Sequence, residues 1–392
     1  MIMADNTQPI VVCGTGIAGL ATALGLGRAG FSVSVLGQHA PAPVNPGESW
    51  HPRVYALSPS SKAFLESLGV WSLMDTTRIM PVESMEVYGD GDGKVTLHAW
   101  HDTADALAWI VESGEIERVL QQAVQVYGLP WHVERFRHLH THELITDSGR
   151  RLPYALLVGA DGAQSDVRRA AGIAHHSRAY GDRGVVTHLT ADYPHQNQAR
   201  QWFLGDNILA LLPLSDTSAG PQVSMVWSMP DDRARALLAL PEPEQHRLLE
   251  TQLQAATNGC LGHLAVRSKV LGFPLTLDKS SMVASHVALV GDAAHRVHPL
   301  AGQGLNLGLA DIATLIDVLK TRESWRSVGD ARVLGRYRRQ RAEPIEAMRL
   351  ATHGLYQLFA APGAPAAWLR NLGMHGVNRL PVIKRLLIQG AR

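Results

Sequence analysis

The run Val290-Gly291-Asp292-Ala293-Ala294-His295-Arg296-Val297-His298-Pro299-Leu300-Ala301-Gly302-Gln303-Gly304-Leu305-Asn306 gathers more chemically useful groups than any other stretch of the chain. An apolar strand ending in Gly291-Asp292 puts one carboxylate at the carboxyl edge of a sheet, where open α/β sheets bind ligands. The glycines that follow let backbone N–H groups approach something flat or anionic, and the helix that starts there adds its positive end. Asp292 is suited to hold hydroxyls, while Gly302, Gly304 and Leu305 offer amides.

A turn of the same kind opens the chain. Ile10-Val11-Val12-Cys13 is an apolar strand, Gly14-Thr15-Gly16-Ile17-Ala18-Gly19 follows, and a helical pattern runs through Ala29. This is the G-x-G-x-x-G dinucleotide fingerprint between a strand and a helix. Gly14 makes the tight turn, Gly16 admits a pyrophosphate to the helix N-terminus, and Gly19 lets helix and strand pack closely; Ile17 and Ala18 complete the turn. The fingerprint expects an acid about 20 residues on to hold a ribose. The second strand, Phe31 to Leu36, ends instead in Gly37-Gln38, so the ribose would rely on Gln38, on backbone groups or on water. By itself this motif fits NAD as well as FAD.

A third strand-end turn, Leu156-Leu157-Val158-Gly159-Ala160-Asp161-Gly162-Ala163-Gln164-Ser165-Asp166-Val167-Arg168, leads into a helix that Ser165 or Asp166 can cap. Three such turns in one chain point away from a generic NAD site.

Taken together, the three turns resemble the single-component FAD-dependent aromatic hydroxylases, the group typified by para-hydroxybenzoate hydroxylase, in order and spacing along nearly the whole chain. Within that group Arg53 to Ser58, Leu65 to Trp71 and His298 to Gly304 are most similar to the ubiquinone-biosynthesis hydroxylases. The resemblance implies that Gly14, Gly16 and Gly19 cradle the FAD pyrophosphate, that Asp292 takes the ribityl chain or the pyrophosphate, and that Leu305 and Asn306 face the pyrimidine end of the flavin. It places Arg53 beside the flavin, makes Arg53, His298 and Pro299 the candidate catalytic set, and lets Asp161 and Gly162 touch both FAD and a transient NADPH or NADH, with Ser165 and Arg168 supporting their turn. The activity implied is hydroxylation of an aromatic ring with O2 through a flavin hydroperoxide. The substrate expected is a lipophilic phenol carrying a polyprenyl tail. Two rivals use the same fold: a flavoenzyme acting on another small aromatic, and a non-catalytic FAD-binding member of a biosynthetic complex.

The elements that must position these groups read as an α/β protein, with a Rossmann-like FAD-binding domain, a discontinuous antiparallel-sheet substrate domain and a C-terminal helical tail. The expected division gives the FAD-binding domain 1–80, 101–180 and 274–345, the substrate domain a hairpin at 81–100 and the stretch 181–273, and the tail 346–392. A chain of 392 residues with one dinucleotide fingerprint suits such interleaving. Strand-like runs between 184 and 229 suggest that Trp202, Phe203, Leu209, Leu211, Leu212, Met225 and Trp227 supply an apolar substrate surface. Residues 231–259 carry one helical pattern, with Leu237, Leu238, Leu248, Leu249 and Leu253 on apolar faces.

Composition narrows the alternatives. The 36 Lys and Arg nearly balance 35 Asp and Glu, for a net charge of +1, so no basic footprint calls for nucleic acid. Cys13 and Cys260 have no paired spacing, which suits a reducing compartment, and no metal site is expected. His138, His140 and His142 alternate as a solvated strand face does. His295 and His298 could carry protons or simply bond backbone carbonyls in a glycine-rich turn. No G-x-S-x-G elbow supports a hydrolase. The polar start and the absence of a long apolar run predict a cytoplasmic protein, and the basic, amphipathic tail from Ala347 to Arg392 could meet a membrane surface, a partner or the FAD domain.

Overall fold

The computed structural model describes residues 8–38, 49–89, 93–99, 105–297 and 303–360. Ile10–Cys13 is buried at every position and lies inside a six-stranded sheet. It pairs in parallel with Val33–Leu36 on one side and with Leu156–Gly159 on the other; the latter pairs in parallel with Val287–Leu289. Strands covered on both faces must be apolar throughout, which is why these read as unbroken hydrophobic runs. The helix Ile17–Arg28 is buried along most of its length and packs against the helix Gln303–Lys320. Gly25 permits that approach, since a Cβ there would stand 2.5 Å from Ile316 Cδ1.

Parallel pairing has a geometric consequence: all four strands end on the same edge. Gly14 N–H donates to Leu36 O at 2.9 Å, Ala160 N–H to Cys13 O at 2.8 Å, and Val290 N–H to Gly159 O at 3.0 Å. The three glycine turns, far apart in sequence, are therefore neighbours.

The larger sheet has nine strands. His175–Ala191, Gly220–Pro230 and Asn207–Thr217 form its antiparallel middle, with Leu271–Ser280 and then His295–Arg296 on one flank, and Leu264–Val266 pairing with His175–Ala191. On the other flank Gln198–Leu204 pairs in parallel with Ser84–Tyr88, the first arm of a hairpin completed by Lys94–His98. This one parallel pair departs from a purely antiparallel sheet. The helical stretch read as continuous over 231–259 is two helices, Asp231–Leu238 and Glu242–Thr257. Pro241 has no N–H to carry the first helix onward, and it caps the second. Leu248, expected on an apolar face, is 40% exposed.

A three-stranded sheet of Val54–Leu57, Ala108–Glu112 and Ile79–Val82, which sequence patterning did not suggest, lies against the large sheet through Ile110, Val82, Ala199 and Leu214. The borders read at 180/181, 273/274 and 345/346 each fall inside one continuous element: His175–Ala191, Leu271–Ser280 and the helix Ala331–Ala360. The units we propose thus share strands and a helix instead of meeting at linkers. Residues 361–392, most of the basic tail, lie outside the described residues.

Candidate active site

The fingerprint glycines have two different causes. Gly14 sits at φ +126°, and a Cβ on it would come within 2.2 Å of Ala160 O; one on Gly19 would come within 2.0 Å of Gly14 O. The fold itself forbids side chains at both. A Cβ on Gly16 would meet nothing within 4 Å, so its reason lies outside the chain. The helix behind it begins with no side-chain cap and no acid in its first turn. Its amides and positive end are left for an anion.

In the second turn, Asp161 Oδ2 accepts from Val167 N–H at 3.1 Å, while Oδ1 is buried without a partner among the described residues. Burial raises the pKa of this carboxyl, against hydrogen bonding from Ser165 and the Val167 amide. Ser165 Oγ caps the next helix by accepting from Arg168 N–H at 2.9 Å. The buried Arg168 guanidinium donates to Ala163 O at 2.7 Å and Ala293 O at 2.8 Å, which clamps the second turn to the third.

The third turn rests on a buried charge network. Asp311, fully buried in the helix Gln303–Lys320, accepts from Gly291 N–H at 3.0 Å through Oδ2 and from Arg341 Nε at 2.7 Å through Oδ1. His295 Nε2 lies 2.7 Å from the same Oδ2. The glycine turn folds His295 inward onto a carboxylate, a partner the sequence reading did not include. Sequence reasoning missed Asp311 and Arg341. Asp311 falls in phase with Leu307 and Leu315 on the apolar face of this helix, unlike the exposed Asp317, and that was the available signal, since a carboxylate there demands a partner.

Asp292 stays accessible to solvent. Protein crowded around it nevertheless raises its pKa, and Arg53 is the leading opposing charge. The Arg53 guanidinium lies 5.6 Å from the centre of the Tyr55 ring and 5.9 Å from that of Phe273. Asn306 ties this region to the helix start: its Nδ2 donates to Ala56 O at 2.9 Å, and its Oδ1 accepts from Ser58 N–H at 3.0 Å. Ala18, in the first turn, meets Gly291 at 3.3 Å from that glycine's virtual Cβ. In sheet order the edge therefore presents Gln38, then Gly14 to Gly19, then Asp161 and Gly162, then Gly291 and Asp292, with Gly304, Leu305 and Asn306 beginning the adjoining helix. Gln38 is exposed at one end and Arg53 is gathered at the other. His298, Pro299 and Gly302 lie outside the described residues.

Of the seven residues read from sequence as substrate surface, five lie buried beneath two helices. Trp202, Leu209, Leu211, Met225 and Trp227 pack in one core with Leu237, Leu249 and Leu253 of the two covering helices. Phe203 clusters with Val95 and Ile208, and only Leu212 lies against the Trp50 and Ile110 group. Alternation along strands sends neighbours to opposite faces. Register then puts Val186, Ala210, Val226, Leu271 and Phe273 together on the face that Phe273 turns to Arg53. These are partly exposed and apolar.

Comparison with known proteins agrees with this geometry. Residues 7–351 match a family model described as FAD binding domain. The 3-demethoxyubiquinol 3-hydroxylase of Escherichia coli K12 is 32% identical over 400 residues, covering 99% of each chain. The mitochondrial ubiquinone biosynthesis monooxygenase COQ6 of Drosophila melanogaster is 32% identical over 88% of this chain and 80% of its own. Among solved structures, the p-nitrophenol 4-monooxygenase PnpA of Pseudomonas putida DLL-E4 superposes with a TM-score of 0.76 at 18% identity, covering 97% of this chain and 96% of its own. An uncapped helix start, a middle glycine facing open space, and carboxylates suited to hydroxyls along one edge fit the phosphates and polyol of an extended FAD. The chain belongs to the FAD-dependent monooxygenase (hydroxylase) family.

Proposed function

We propose that the protein hydroxylates the ring of a polyprenylated phenol of ubiquinone biosynthesis, consuming NADPH or NADH and O2. The observation that carries this reading is the likeness to a 3-demethoxyubiquinol 3-hydroxylase over the full length and to a ubiquinone biosynthesis monooxygenase over most of it. The apolar, uncharged face of Val186, Ala210, Val226, Leu271 and Phe273 opposite Arg53 supports a lipophilic ring over an acidic one. Bound FAD would supply the oxygen-activating chemistry.

The chain's own share is binding and orientation. Gly14, Gly16 and Gly19 with Ile17 and Ala18 would seat the pyrophosphate at a helix start, and Asp292 would accept from ribityl hydroxyls. Gln38 would serve the ribose in place of the missing acid. Gly304, Leu305 and Asn306 would direct a helix N-terminus at the pyrimidine end, where negative charge gathers. Asp161 and Gly162 would meet the nicotinamide cofactor, and Arg53, with His298 and Pro299, would border the reacting ring.

The test is substrate-stimulated NADPH oxidation with O2 uptake, using a polyprenylphenol and oxygen-18. Label from O2 in the product is the expected result. FAD binding without stimulation by any phenol would refute the reading.

A further inference from the structure

His188 lies two residues from Val186 on the same strand face, is 2% exposed, and lines a cavity of about 280 Å³ with Ser49, Trp50, Arg267 and Ser268. Its Nε2 is 2.9 Å from His51 O. A carbonyl only accepts, so Nε2 carries the hydrogen and Nδ1 is left as a bare acceptor. That Nδ1 is buried and bonds nothing among the described residues. Burial also lowers the pKa of His188, against the His51 hydrogen bond, which keeps the ring neutral. A buried acceptor left unmet is costly unless a ligand brings a donor.

The cavity shares a stretch of chain, residues 49–53, with the reacting region. His51 Nδ1 is 3.1 Å from Arg53 N, so the segment that receives His188 also carries Arg53. Its volume stands near the lower end of small-molecule sites, roughly 300 Å³.

We propose that His188 Nδ1 accepts the hydrogen of the substrate's ring hydroxyl. This rests on the phenol reading above and adds to it a residue that selects for the hydroxyl. Drawing that hydrogen toward the imidazole enriches the ring in electrons, which favours attack by an electrophilic oxygen.

The experiment compares binding of a long-chain 4-alkylphenol and its O-methyl ether to the FAD-loaded protein. Wild type should prefer the phenol by about tenfold, the worth of one buried hydrogen bond. His188→Leu should bring the two within about twofold, and His188→Gln, which keeps both a donor for His51 O and an acceptor, should restore part of the preference. A residue that merely props His51 would weaken both ligands equally. Full preference in His188→Leu, or equal binding of both ligands by wild type, overturns the assignment while leaving the aromatic site intact. Binding of neither ligand overturns the phenol reading as well. Imidazole nitrogen NMR of wild type tests the same contact without a variant: the His188 Nδ1 resonance should move with the phenol and stay with the ether, and an unmoved resonance under saturating phenol overturns the proposal.

Discussion

Gly16 and Gly14 stand two residues apart in one motif, yet substituting them should break different things. Gly16 has φ −79° and ψ −176°, a conformation open to alanine, and open space where the methyl would go. Alanine there gains about 0.4–1 kcal/mol by restricting the unfolded chain and loses roughly as much as a poorer helix cap. The apoprotein should therefore stay within about 1 kcal/mol of wild type. The added methyl occupies the space a pyrophosphate needs in order to reach the helix amides. Losing one such amide-to-anion bond, about 1.5–3 kcal/mol, weakens FAD by about 10- to 100-fold. Gly14→Ala is the control: φ +126° and the 2.2 Å approach to Ala160 O should cost both folding and binding. Denaturant unfolding of the apoproteins and FAD titration by flavin fluorescence measure the two effects. Should Gly16→Ala bind FAD within about threefold of wild type, or lose more than about 2 kcal/mol of apo stability, the assignment of that open space to the cofactor is wrong.

Two further perturbations follow from the charges of the site. Asp311→Asn leaves Arg341 buried without its counter-charge and should cost about 3–5 kcal/mol, a large share of a typical folding free energy; a loss below about 1 kcal/mol by denaturant titration would show that the network is not needed. Asp292 has a folded pKa above its unfolded one, so its contribution to stability is complete below the ordinary carboxylate value near ~4 and is lost as pH rises through the raised value. Asp292→Asn should therefore leave the apoprotein at least as stable as wild type at neutral pH while weakening FAD, whose hydroxyls lose a charged acceptor. An apo variant less stable than wild type at neutral pH would contradict this.

The cofactor edge was legible because its signals are local. A buried strand, a glycine turn and a helix start fit within about twenty residues, and in the first of the three Gly14 and Gly19 carry their own steric reason. Parallel pairing then placed them side by side without further instruction. The face of the large sheet was not legible, because apolar residues occupy both phases of the alternation in the strand through Val185 to Ala191. Trp202 and Met225 look as fit for a ligand as Val186 and Val226 until the two covering helices claim one side. Nor could the chain announce that Asp311, His295 and Arg341 meet, since that needs the packing of two helices against the third turn. Pro241 does announce its break, although the leucine spacing runs on across it.

The parallel seam between Ser84–Tyr88 and Gln198–Leu204 joins segments roughly 110 residues apart. During synthesis at about 5–20 residues per second, the early hairpin waits on the order of ten seconds for the strand that will cover its edge. Non-local closure of this kind slows folding, and an unpaired edge in the interim is open to pairing with other chains. Yield of native protein should therefore depend on what shelters the nascent hairpin, a demand that originates in topology and not in the chemistry of the finished enzyme.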